Sequence, residues 1–415
     1  MPPVGMRWIA RGLSSSSGMN RSVKLLVAFK VVSSASLLPV IFVLFLQGRG
    51  FSFFEIALVN SFGSLVTVLA EVPAGWMGDR YGLRRSLLCG VSVSGLGILA
   101  LIGSTELLHA LGAELIFCVG AALISGADTA LIYNCLESSG EEGSFLKVTS
   151  QYRSNSYLAS FAAKLVAPPL FGLLDILPLI VSIALCFVGL LLLSAVKDPA
   201  VAAKGEGDGS GSARGRVWGE LKRGRYLRAF GGMCLASSLL TVGVSNFSVY
   251  VAPFLQSLGA ESSALGLALA VGSLGGYCGS RVAPLLVNRF SERSVLVWSA
   301  LGGLSTFGVA PGAGSWPVGS VFYFIITCCS AGFYTVASPV INRSIPSRWR
   351  ATALSSLAMV DEAMFLLLDP VFGWTVDSFG YDIYAVWAAA LAPAVLILLL
   401  LALFGRFAPG GIAGM

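Results

Sequence analysis

Nine charged side chains fall inside long apolar stretches of this sequence, and they are where its chemistry is to be sought. The bases are Lys30, Arg153, Lys164 and Arg281; the acids are Glu71, Asp128, Asp361, Glu362 and Asp369. A charge in such a stretch is costly to bury, so it pairs, reaches a polar edge, or serves a path for ions or substrate. A buried carboxylate beside a cation can load and release a proton, because burial favours its neutral form and the cation its charged form. Asp128 and Glu362 suit that work best. Structural ion pairing is the competing use for each of the nine. Lys30 and Arg153 lie near the ends of their stretches, where a long stem lets the charge snorkel to the polar edge. Glu71 lies near an end too, two residues before Pro73, and fits a latch better than a carrier. Asp369 precedes Pro370, whose ring frees a backbone carbonyl and gives a kink a polar lining.

Other chemistries lack their parts. His109 is the one histidine, in a short loop, so no histidine relay crosses the apolar stretches. The eight cysteines (Cys89, Cys118, Cys135, Cys186, Cys234, Cys278, Cys328 and Cys329) show no CxxC spacing, so no disulfide framework and no metal site is expected. Nowhere is Gly followed by Lys, so a Walker A loop is absent and no ATP is expected. No cofactor is implied, and no nucleophile–base cluster points to an enzyme.

The surroundings of these charges define the class of molecule. Of 415 residues, 56% are hydrophobic and 12% charged, about half the roughly 25% charged of a soluble domain. Too few charges remain to cover a water-facing surface, which excludes a soluble enzyme, a nucleic-acid binder and a disordered scaffold. A helix crossing a hydrocarbon core needs about 20 apolar residues. Twelve such spans are predicted, at 24–46, 53–77, 86–104, 110–136, 149–172, 176–196, 226–255, 263–287, 294–310, 318–342, 351–375 and 382–405. An open strand would leave its backbone unpaired in lipid, so the fold class is all-α.

Lysine and arginine orient the spans. With both termini on one side, that side holds 22 of the 27 bases, the opposite side holds Arg49 alone, and four lie within spans. The positive-inside rule then puts both termini in the cytoplasm of a cell with this chain in its plasma membrane. The net charge of +6 belongs to that face and needs no nucleic acid to explain it. Residues 1–23 read as a cytoplasmic tail, with translation expected to start at Met19. A Gly- and Ser-rich linker at 197–225 separates halves at 24–196 and 226–406, and 407–415 is a short tail.

The halves repeat. Phe45-Leu46-Gln47 recurs as Phe254-Leu255-Gln256, Gly63-Ser64-Leu65 as Gly272-Ser273-Leu274, and Asp79-Arg80 as Asn288-Arg289, all at an offset of 209 residues. Pro169-Leu170-Phe171-Gly172 matches Pro370-Val371-Phe372-Gly373 at an offset of 201. A six-span unit is therefore duplicated in parallel, as in rocking transporters that bind substrate between two halves.

After span 2 comes Gly75-Trp76-Met77-Gly78-Asp79-Arg80-Tyr81-Gly82-Leu83-Arg84-Arg85-Ser86-Leu87. This resembles the loop signature of the major facilitator superfamily, G-x-L-A-D-R-x-G-R-K-x-x-L, departing at Leu83. The resemblance implies a major-facilitator fold and a conformational latch made by Gly75, Gly78, Asp79, Arg80, Gly82, Arg84 and Arg85. In it Asp79 would cap span 11 near Ala351-Thr352. It also implies that spans 1, 4, 7 and 10 line a cavity and that spans 2, 5, 8 and 11 form the seam. Lys30 and Asp128 would then face the substrate path, with Arg153 within reach of Asp128. Lys164, Arg281 and one of Asp361 and Glu362 would face the seam. Pro168 and Gly172 match part of a glycine-rich stretch of the superfamily's drug antiporters. The expected function is a monomeric, proton-coupled secondary transporter that exports a small organic molecule. Import of a metabolite by proton symport is the first alternative, ahead of a membrane enzyme or a non-transporting receptor.

Overall fold

The computed structural model describes residues 21–141, 144–197, 226–343 and 350–404. The central linker, both tails and the loop around Pro346 lie outside these residues. Among the described residues there are fourteen α-helices and no strand, and they build twelve spans. Spans 2, 3, 5 and 6 are Phe53–Tyr81, Leu83–Ile102, Phe145–Leu173 and Leu177–Ser194. Spans 7 to 10 are Tyr226–Ser257, Ser262–Arg289, Glu292–Val309 and Trp316–Arg343. By hydropathy Met359–Leu401 is one apolar run. A 3-10 turn at Gly380–Asp382, with Gly380 at φ 67°, divides it into span 11 (Arg350–Phe379) and span 12 (Ile383–Phe404).

Spans 1 and 4 are each two helices. Span 1 is Arg21–Ser34 and Leu38–Gly48, the second helix carrying Pro39 in its first turn, where the missing N–H costs nothing. Span 4 is Leu107–Ile124 and Ala127–Glu137. Sequence periodicity predicts one unbroken helix at 110–136. The structure corrects this, because Gly126 turns the chain at φ 75°, a conformation glycine adopts freely.

The duplication is visible in the packing. Span 2 packs on span 11, and span 5 on span 8. A Cβ on Gly373 would lie 2.5 Å from Phe53 O, and one on Gly172 would lie 2.6 Å from Ser262 Oγ. Phe53 and Ser262 are repeat-related by the offset of 209, and Gly172 and Gly373 by the offset of 201. The same contact is therefore made twice, once on each side of the seam. In lipid, helices gain no hydrophobic drive to associate, and small residues at such crossings supply close packing instead.

These contacts lie at the end of the bundle opposite the arginine-rich loops. One apolar cluster runs through both halves there, joining Phe45 and Ile56 to Phe254, Phe372 and Tyr384. At the basic end, a second cluster of Val23, Leu26, Phe29, Leu87, Leu131 and Leu193 stays within the first half. Of Glu71–Trp76 in span 2, all but Ala74 are exposed. More than a full turn of that helix thus stands free. Among the described residues, these tight crossings between the halves lie at the far end, and span 2 is largely uncovered at the basic end.

Gly373→Leu is expected to hold the far end apart, since its side chain must occupy space already filled by Phe53 O and the Ala57 methyl 2.7 Å away. Spin labels across the far ends of spans 2 and 11 should report a longer distance in a protein that still inserts and purifies. An unchanged distance refutes the close-approach role.

Candidate functional site

Lys30 and Asp128 form an ion pair between spans 1 and 4. The break in span 4 makes Asp128 a first-turn residue of the helix Ala127–Glu137, where the helix dipole favours an anion. Thr129 Oγ1 lies 3.0 Å from Asp128 Oδ1 and donates to it. On the Lys30 side, the Tyr152 ring of span 5 lies 5.4 Å from the ammonium. The side chains keep 22% (Lys30) and 9% (Asp128) of their exposure, so water reaches the pair only in part. Lys30 therefore turns inward to a partner rather than snorkelling to the edge. The backbone of Arg153 lies in span 5, but its side chain is outside the described residues.

Asp361 and Glu362 are adjacent on a helix and so point about 100° apart. Asp361 faces the second half, beside Ser238 of span 7 and Tyr334 of span 10. Tyr334 OH is hydrogen-bonded to Thr241 Oγ1, tying span 10 to span 7. Asp361 Oδ1 and Ser238 Oγ are buried without a completed hydrogen bond. Glu362 lies within electrostatic range of Cys118 of span 4, in the first half. Cys118 Sγ donates to Glu114 Oε1 at 3.1 Å, so a second carboxylate lies on the same side of the seam.

Glu114 is a residue that the sequence reading passed over, although it is an acid within an apolar run and carries the same signal as the nine. Gly63 leaves the room it occupies; a Cβ there would sit 2.6 Å from Glu114 Oε1. Lys164 reaches across to the second half, with its ammonium 3.5 Å from Tyr323 OH and 5.7 Å from the ring centre. Arg281 makes no such crossing. It is exposed and lies over the ring of Tyr277 on its own helix, 5.5 Å from the ring centre.

The far end of the seam holds two more acids. Asp369 is fully buried, its Oδ1 accepting from Tyr250 OH at 3.2 Å. Asp377 accepts from Phe53 N at 3.0 Å and Phe54 N at 2.7 Å. Ser52 Oγ accepts from Glu55 N, and Glu55 Oε2 from Ser52 N. All four leading N–H groups of span 2, orphans in an isolated helix, are thereby satisfied, two of them by the other half of the molecule. Asp377 carries no sequence signal, because it sits at a span edge where an acid is unremarkable.

The loop after span 2 is built as a tight corner. Gly82, at φ 94°, ends span 2 and starts span 3. Gly78 is buried against Leu83 at the corner, while Gly75 opens to free space. Arg84 donates to Leu193 O at 3.1 Å and Ser194 O at 2.6 Å, closing the C-terminal carbonyls of span 6. Arg80 stacks on the Trp76 and Tyr81 rings, and Arg85 is exposed. Asp79 and Glu71 are exposed with no ion pair among the described residues. The side chains of Ala351-Thr352, the expected partner of Asp79, lie outside those residues.

Known proteins share this architecture. A family model described as the MFS_1 like family matches residues 20–364. A single-residue variant of the nucleoside transporter NupG superposes with a TM-score of 0.74 at 15% identity, covering 93% of this chain and 99% of that one. An auto-inhibited POT family peptide transporter gives 0.71 at 14% identity, covering 94% and 98%. A D-xylose-proton symporter gives 0.69 at 13% identity, covering 92% and 95%. Among curated proteins none matches. With the family model spanning most of the chain, and twelve helices arranged as two parallel halves, this multi-pass membrane protein belongs to the MFS_1 like family and has the major-facilitator fold.

Proposed function

We propose that the chain is a proton-coupled secondary transporter that exports a small organic molecule by alternating access. The observation that carries this is the Lys30–Asp128 pair, set at the break in span 4 and reached in part by water. A carboxylate whose partner cation can leave is a group that titrates as the cavity changes sides. Glu362, within electrostatic range of Cys118 of the first half, is the second carrier. The basic end is cytoplasmic in this reading, so the described state opens inward. Pro168 and Gly172 in span 5 favour export. Import by symport is the second reading, supported by the shared fold of a D-xylose-proton symporter. Proteoliposomes with a pH gradient of either sign decide between them: export requires that substrate and proton cross in opposite directions, and flux in the same direction overturns it.

The latch is testable separately. In the inward-closed state Asp79 caps span 11, a charge-assisted contact worth about 1.5–3 kcal/mol. Asp79→Asn should therefore slow transport while insertion and yield stay normal. Wild-type flux from a well-expressed Asp79→Asn protein sinks the latch.

A further inference from the structure

Asp369 lies where the seam is shut most tightly. It is 0% exposed, between span 2, span 7 and span 12. Each neighbouring element presents a neutral or acidic group to it. Span 2 offers Asn60, with Glu55 at its tip; span 7 offers Tyr250, which itself lies near Tyr384 of span 12, and Asp377 lies further along Asp369's own helix. Among the described residues no lysine or arginine makes an ion pair with it. Tyr250 OH donates to one carboxyl oxygen, and Asn60 lies within interaction range of the carboxyl, though neither Oδ2 nor the Asn60 amide nitrogen completes a hydrogen bond of full geometry. A fully buried carboxylate with no cation, held only by neutral groups, is far costlier than a neutral carboxyl. As a neutral acid, Asp369 needs fewer partners, and its own O–H can turn to an acceptor such as Asn60 Oδ1.

We propose that Asp369, cradled by Asn60 and Tyr250, is a proton-binding site of the far gate, and that this gate closes only over its protonated form. The site is open to the far side when spans 2 and 11 part, and sealed with its proton when they meet. The inference deepens the proposed transport function, since it gives a proton a role in moving the gate.

The test is infrared spectroscopy of the full chain in proteoliposomes at neutral pH, with the proton as probe. Wild type should show the C=O stretch of a buried protonated carboxyl. Asp369→Asn should lose that band. Tyr250→Phe should keep it, moved to higher frequency by the lost hydrogen bond. An Asp369→Asn spectrum that retains the band, or a band unmoved in Tyr250→Phe, overturns the assignment. A wild-type band that appears only when sodium is withdrawn gives the site to sodium and overturns it too. The gate is read by Ala57→Cys, a buried seam position, in a cysteine-depleted background. Its alkylation from the far side should quicken as the pH there rises, and in Asp369→Asn it should stay slow at every pH. Equal pH dependence in both proteins refutes the gating role. Neither measurement needs transport, so a missing pH-driven flux with the band present would sink the transport reading alone.

Discussion

Asp128→Asn should abolish pH-gradient-driven transport and leave substrate exchange at equal pH intact. Asparagine keeps the shape and much of the hydrogen bonding of aspartate but cannot titrate. Thr129, on the same turn, can still donate to the remaining side-chain oxygen. The complication is Lys30, whose partner disappears. Removing one member of a buried ion pair costs about 3–5 kcal/mol, and the 22% exposure that Lys30 retains places this case toward the lower bound. A structural role and a coupling role therefore predict different rescues. Lys30→Met combined with Asp128→Leu removes both charges, and replacing a buried pair by apolar groups is often neutral for stability. That double variant should regain the melting temperature lost in Asp128→Asn. If its gradient-driven transport returns as well, Asp128 served only the fold. If exchange fails along with uphill flux in Asp128→Asn, the group binds substrate instead. If neither falls, the proton crosses elsewhere, with Glu362 the next position to change.

Much of the scaffold could be read from the chain, because bilayer thickness and the duplication leave little freedom. The span boundaries lie within a few residues of the helices, and the offset of 209 carries physical content. It pairs Gly63 with Gly272, and it also pairs Glu114 with Tyr323. In the structure Gly63 gives way to Glu114 and Gly272 to Tyr323, so one helix crossing is used twice with different side chains. Adjacent-residue geometry likewise says that Asp361 and Glu362 cannot both face the seam. What escaped the sequence was local or long-range. The break in span 4 depends on a single glycine within an apolar run, and hydropathy does not register it. The partner of Asp377 is 324 residues away along the chain, a distance over which no pattern in one sequence speaks. Glu114 is legible by the same signal as Asp128, an acid within the same apolar run.

The contact made by Asp377 leads to the second large effect. Its carboxylate caps the start of span 2 only while the far end is shut, whereas the proposed Asp79 cap on span 11 needs the basic end shut. The two acids sit at opposite ends of the same helix pair, and rocking of the halves makes one contact as it breaks the other. Losing an N-cap side chain costs about 0.5–2 kcal/mol, typically about 1. Here the loss falls on the far-closed state alone, because in the far-open state span 2 is already uncapped by Asp377. Since 1.4 kcal/mol is tenfold in an equilibrium, Asp377→Ala should shift the balance toward the far-open state by about two- to thirtyfold. Alkylation of Ala57→Cys from the far side should quicken by that factor, because Ala57 is sealed when span 2 meets span 11. Asp79→Asn alone should slow the same reaction. Distant sites without shared partners combine nearly additively, so Asp377→Ala with Asp79→Asn should return the rate toward wild type while transport stays slow. An alkylation rate in Asp377→Ala equal to wild type would show that Gly373 and its neighbours hold the far end without the cap.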